Sequence, residues 1–155
     1  MHLEFRLPFK PSRMPSSQDR GNSGIYIFNS YECQVLDSFA LDLVEENNPF
    51  KTQSRNNQWC GSFYKFKTPD VHMAFPPLRW QTYDIDFTAP AFEGDKKVKN
   101  ARVTVRHNGV LIHDDVELPK GTGAGGSRPE TAKGIIHFQG HGNPVAYRNV
   151  WILEK

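Results

Sequence analysis

The sequence predicts an all-β protein, an antiparallel two-sheet jelly-roll sandwich. Three observations carry that prediction. Five segments alternate polar and apolar residues with a period of two, whereas parallel strands buried on both faces would read as continuous apolar runs. Asn108-Gly109 stands between two such segments as a two-residue hairpin signal. Pro- and Gly-rich breaks separate the rest and leave almost no room for helix.

Taken in order, His2, Glu4 and Arg6 alternate with Leu3, Phe5 and Leu7, and so read as a first strand. Pro8, Pro11, Pro15 and Gly21 mark residues 8–24 as a long loop. It ends in a turn at Gly21, Asn22, Ser23 and Gly24 that feeds a strand over 31–36. In that strand Glu32 and Gln34 stand on one face, and Tyr31, Cys33 and Val35 on the other. Residues 38–58, with Leu41, Val44, Glu45 and Glu46, support no more than one helical turn within a loop. Phe63 to Phe66 reads as a further strand, and Pro69, Pro76 and Pro77 then break the chain. A strand over 80–88 sets Thr82, Asp84 and Asp86 against Tyr83, Ile85 and Phe87. Residues 89–100 form a charged hairpin connection, and Asn108-Gly109 joins strands 101–107 and 110–113, with His113, Asp114 and Asp115 at the polar end of that hairpin. Gly121, Gly123, Gly125 and Gly126 predict a mobile surface loop ending at Pro129, with a lid over ligand as the sharper alternative. A strand then sets His137, Gln139 and His141 against Ile136 and Phe138, and the last runs from Tyr147 to Leu153. The total is eight to nine strands.

At 155 residues the chain suits one domain, 1–155, able to bury a core without staples. A formal charge of +2, with bases and acids interspersed, argues against a nucleic-acid partner. No apolar run is long enough to span a membrane as a helix, so no membrane insertion is expected. Met1 to Leu7 alternate like a strand and carry no signal peptide. Cys33 and Cys60 are expected as free thiols, neither with the setting of a nucleophile.

Several chemistries can be weighed on spacing alone. His137 and His141 would lie roughly 13 Å apart at about 3.3 Å per residue, too far to share a metal. His141 sits between Gly140 and Gly142, where a ligand can approach the backbone, and its imidazole suits proton transfer. Asp84 and Asp86 could give oxygens to Ca²⁺, but a site of six or more ligands needs more than one pair. No cofactor is therefore expected, with a divalent ion such as calcium the only one weighed. Gly126 is followed by Ser127, Arg128 and Pro129, which is not a phosphate-binding loop, and no Gly-x-Ser-x-Gly elbow is present. Trp80 and Trp151 could stack on a sugar ring, although core packing is the commoner role for such residues. The polar stripes favour Glu, Asp, Arg, His and Gln over Ser, Thr and Lys, which places a functional concave face ahead of a merely solvated one.

Seven ordered blocks complete the reading. Glu4-Phe5-Arg6, Gly21-Asn22-Ser23-Gly24-Ile25, Tyr31 to Asp37, Trp80 to Ile85, Asn108-Gly109, Gln139-Gly140-His141-Gly142 and Tyr147 to Val150 together closely resemble the 3-keto-disaccharide hydrolase family. The resemblance covers essentially the whole chain. It implies a concanavalin A-like fold, a bacterial protein often exported to the periplasm or secreted, and hydrolysis or elimination at 3-keto-glycosides. It also implies further N-terminal strands before Glu4, so one sheet is expected to have an open edge through which the chain could oligomerise. For that chemistry the expected catalytic residues are Glu32 as base, His141 as proton donor or shuttle, and Glu4 as the alternate acid. Arg6, Gln34 and Gln139 are the expected orienting donors, and Asn22, Trp80 and Arg148 complete the sugar-contacting set. Glu4, Arg6, Glu32, Gln34, Gln139 and His141 are expected on one concave surface. A non-catalytic carbohydrate-binding module on the same fold is the alternative, and an interaction domain without a ligand is a third.

Overall fold

The structure is a computed structural model that describes residues 1–14, 17–41 and 56–154. The expected turn around Leu41 to Glu46 falls largely outside those residues; within them, Asn56–Gln58 forms a short 3-10 turn. The described residues form ten strands: β1 (His2–Arg6), β2 (Ser23–Ile27), β3 (Tyr31–Val35), β4 (Trp80–Thr88), β5 (Ala91–Glu93), β6 (Lys96–Lys99), β7 (Ala101–His107), β8 (Val110–Leu118), β9 (Ile136–Phe138) and β10 (Ala146–Trp151). All pairings are antiparallel. A five-stranded sheet runs β10-β1-β4-β7-β8, a three-stranded sheet runs β3-β2-β9, and β5-β6 form a separate hairpin. The two larger sheets make the expected all-β sandwich, of concanavalin A-like type. Among the described residues, no helix is long and apolar enough to cross a membrane.

The core lies between those sheets and follows the alternation. Leu3, Phe5 and Leu7 enter it from the β1 side, Tyr83 and Ile85 from β4, and Val103 and Val105 from β7; Ile25, Ile27, Tyr31, Cys33 and Val35 meet them from β2 and β3. Phe5 and Tyr83 pack side by side within the five-stranded sheet with ring centroids 4.8 Å apart, and Tyr31 packs on Phe87 across the sandwich at 5.4 Å. Both cysteines are buried free thiols. Cys60 Sγ lies 3.1 Å from the Tyr83 hydroxyl, and burial pushes its thiol up to about 11.

Several expected elements differ. Phe63 to Phe66 is not a strand: Phe63 makes isolated bridges to Cys33 and Lys67, and the segment covers the outer edge of β3 through Gly61 N to Gln34 O, Gln34 N to Ser62 O and Tyr64 N to Glu32 O. An edge strand needs such cover. The expected turn at Gly21 to Gly24 is instead the entry to β2, and the reversal comes at Phe28 and Asn29, both at positive φ. β8 continues to Leu118 because Asp115, at φ 43°, takes up a register shift and lets the ladder resume. His113 therefore lies mid-strand and buried, its Nε2 donating to Gly61 O at 2.7 Å.

Candidate active site

The outward face of the three-stranded sheet is a small grid. Antiparallel register sets Gly24 opposite Gln34 and Tyr26 opposite Glu32, while on the other side of β2 Tyr26 faces His137, with Gln139 next along the chain and its backbone N–H bound to Gly24 O. Gly24 is the floor. A methyl group there would come within 2.7 Å of Glu32 Oε1, so the carboxylate leans over the one position that has no side chain.

This face is covered rather than solvated. Glu32 is 3% exposed, Gln34 1%, Asn22 3% and Tyr26 1%. Part of the cover is the glycine-rich segment, which packs as a 3-10 turn at Gly123–Ser127 against β3 and is not an open surface loop. Thr122 Oγ1 accepts from Glu32 N at 2.8 Å and Thr122 N donates to Ser30 O at 2.9 Å. Gly123 sits so close to the Glu32 carboxylate and the Tyr64 ring that any side chain there would collide with both. The far end of the segment is tied down by Glu130, which accepts from the Tyr31 hydroxyl and from Lys97 Nζ, the latter at 2.6 Å.

Hydrogen bonding polarises the cluster. Asn22 Nδ2 donates to Gln18 O at 2.7 Å, Gln34 Nε2 to Gln58 O at 3.3 Å, and Gln139 Nε2 to the Tyr26 hydroxyl at 3.2 Å. Their oxygens, Asn22 Oδ1, Gln34 Oε1 and Gln139 Oε1, are buried with no hydrogen-bond partner. Gln18 Nε2 is likewise buried without a partner, so the cluster holds unmet acceptors and an unmet donor, each costly to leave unpaired. Tyr26 stands opposite Glu32, and burial first, then the Glu32 charge, hold its phenol well above its usual range. Arg128 Cζ lies 5.2 Å from the Tyr26 ring centroid, and the His137 ring stacks on it at 5.5 Å. Among the described residues, no three His, Cys, Asp or Glu side chains come together in a way that could hold a metal.

Glu32, Gln34, Asn22 and Gln139 are thus brought together as expected. Glu4, Arg6, Trp80 and Arg148 are not with them. Leu3, Phe5 and Leu7 point into the core, which turns Glu4 and Arg6 to the outside of the five-stranded sheet, across the sandwich from Glu32. There Arg148 Nε binds Glu4 Oε2 at 2.6 Å, Arg148 Cζ lies 3.9 Å and Arg6 Cζ 5.1 Å from the Trp80 ring centroid, and Arg148 together with Asn149 pulls the Glu4 carboxyl below its ordinary range. His141 lies beyond the end of β9, exposed, with its carbonyl accepting from Asn143. The expected single surface of six residues is therefore corrected to two faces and a loop. Asp84 is engaged by His2 Nδ1 at 2.6 Å rather than paired with Asp86.

Tyr26, Gly24, Arg128, Gln18 and Tyr64 were not anticipated as site residues. The signal for the first two was present in Ser23-Gly24-Ile25-Tyr26-Ile27, which alternates once its glycine is read as a strand residue instead of a turn.

A crystal structure of a candidate glycosyl hydrolase from Parabacteroides distasonis superposes with a TM-score of 0.74 at 33% sequence identity, covering 97% of this chain and 61% of that one. The chain thus spans well under two thirds of its neighbour's length. A second candidate glycosyl hydrolase structure from the same organism gives a TM-score of 0.61 at 18% identity, with 96% of this chain and 67% of that chain covered, and speaks to the fold alone. No curated protein matches. A family model described as the 3-keto-alpha-glucoside-1,2-lyase-like domain matches residues 1–153, and the chain belongs to that family.

Proposed function

We propose that this chain is a carbohydrate-active enzyme that cleaves 3-keto-glycosides, with Glu32 removing the C2 proton and the C1 substituent then leaving by elimination. A ketone at C3 acidifies C2–H because the carbanion is delocalised onto the ketone oxygen, and the C1–O bond lies β to that carbanion. One positioned base therefore starts the reaction, and addition of water to the enone completes a net hydrolysis. The observation that carries this reading is the buried Glu32 carboxylate poised over the bare floor of Gly24, ringed by the acceptor oxygens of Asn22, Gln34 and Gln139. These amides act as acceptors for sugar hydroxyls, because the nitrogens of Asn22 and Gln34 and one N–H of Gln139 are already committed. Family membership and the likeness to a candidate glycosyl hydrolase support the substrate class.

The test is incubation with a 3-keto-disaccharide, with and without divalent metal, followed by detection of released monosaccharide. Release that Glu32→Gln abolishes is expected. Saturable binding with no release would instead make the chain a carbohydrate-binding module.

A further inference from the structure

Elimination at C2 moves negative charge from the base to the ketone oxygen, so the site needs a donor that can follow the charge. The amide nitrogens of Asn22 and Gln34 are spent on internal acceptors, as is one N–H of Gln139, and the unpartnered Gln18 Nε2 lies with Asn22 and Gln34, whose amides bond Gln18. The Tyr26 hydroxyl is differently placed: Tyr26 stands opposite Glu32, which would act as base, across the β2–β3 ladder, and its hydroxyl oxygen accepts from Gln139 Nε2.

We infer that Tyr26 is a further catalytic residue: its hydroxyl donates to the substrate's C3 oxygen and stabilises the enolate. The inference rests on the elimination reading above. When Glu32 takes the C2 proton, the C–H pair becomes the C2=C3 π bond, the C=O π pair moves to the oxygen, and the carboxyl becomes neutral. The strongest acceptor beside Tyr26 is then the enolate oxygen. Collapse of the enolate re-forms the ketone, makes the C1=C2 bond and expels the C1 oxygen with its electron pair; the proton held by Glu32 leaves to that oxygen or to water.

The surroundings suit the role. The amide of Gln139 polarises the hydroxyl by donating to its oxygen, and Arg128 over the ring favours charge transferred onto the phenol. Arg128 is itself held by the carbonyl of Asn29 at 2.9 Å and by its side chain, which His137 Nδ1 also meets at 3.3 Å. Burial first, and then the charge of Glu32, hold the phenol well above its usual range, so at neutral pH it remains protonated and a donor.

The experiment measures two rates on full-length protein: exchange of the C2 proton of methyl 3-keto-glucoside with D₂O by NMR, and cleavage of the methyl and 4-nitrophenyl 3-keto-glucosides. For Tyr26→Phe, exchange and both cleavages are expected to fall together by about 10²-fold, the usual cost of losing one oxyanion donor, with KM within about three-fold. Installing 3-fluorotyrosine at position 26 makes the hydroxyl a stronger donor in nearly the same shape, and exchange is expected to hold or rise. A fall with fluorotyrosine means that the hydroxyl only tunes Glu32, since a stronger donor makes that carboxylate a weaker base, and overturns the inference. Normal exchange in Tyr26→Phe with slow methyl cleavage also overturns it and makes Tyr26 the leaving-group acid. A wild-type protein that neither exchanges nor cleaves removes the elimination reading itself, and this inference with it.

Discussion

The outward faces of the two sheets arise from the same alternation, yet they differ in everything that matters for chemistry. On the five-stranded sheet, charges meet opposite charges at the surface: Glu4 with Arg148, and Arg102 with Asp115 at 2.7 Å, the last pair 42% and 67% exposed, while Asp84 is hydrogen-bonded by His2. Such pairs are screened and contribute little. On the three-stranded sheet, Glu32 is enclosed by Tyr26, Gly123 and Tyr64, and the amides beside it leave buried oxygens and the Gln18 nitrogen without partners. The teaching is that a polar stripe becomes a site through what covers it. Residue type alone did not distinguish Glu4 from Glu32.

The largest effect expected from this contrast is kinetic. Glu32→Gln preserves shape but removes the base, and should lower turnover of a 3-keto-glycoside by about 10²-fold or more with binding retained, whereas Glu4→Gln should leave the rate unchanged. Steady-state kinetics of the two variants side by side checks both. Equal losses would erase the distinction between the faces.

Filling the floor comes next. Gly24→Ala puts a methyl 2.7 Å from Glu32 Oε1, a contact relieved only if the carboxylate moves. Overpacking of this kind costs typically about 1–3 kcal/mol, read from urea unfolding, and activity should fall with it. A stable, fully active Gly24→Ala would show that Glu32 works from elsewhere.

The interior between the faces supplies a pH dependence. His107 is buried with Nε2 donating to Gln81 Oε1 at 3.0 Å, and burial lowers its pKa from 6.5 to about 3; burial also lowers His113. Because the folded pKa lies below the unfolded one, the unfolded chain binds the extra proton between these values. Stability is then full above about pH 6.5 and is lost progressively as pH falls towards about 3. Urea unfolding across that range measures the slope, and His107→Gln should flatten it. The smallest effect belongs to the exposed face, where Arg148→Ala should leave Tm within error of wild type, and a clear drop would mean that this face carries stability after all.

How much of this was legible in the sequence depends on the level asked about. β4 and β7 followed from alternation alone, and Asn108-Gly109 located the turn between β7 and β8. β2 was hidden because Gly24, which keeps the space beneath Glu32 open, looks like punctuation in one dimension, and Tyr26 was lost with it. The end of β8 was misplaced because Asp114 and Asp115 break the period where the strand bulges. Period two tells which residues share a face of a strand, but not which sheet the strand joins. Glu4 and Glu32 were therefore grouped although β1 and β3 belong to different sheets.

The central claim is that ligand binds on the three-stranded sheet. Backbone amide shifts of ¹⁵N-labelled Glu32→Gln protein, titrated with methyl 3-keto-glucoside, test it most directly because chemistry is blocked while the site stays intact. Saturable shifts at Gly24, Tyr26, Gln34, Thr122 and Gln139, with Glu4, Arg6 and Arg148 unmoved, are the predicted result. Shifts centred on Glu4, Arg6, Trp80 and Arg148, with Gly24 and Gln34 silent, would contradict it.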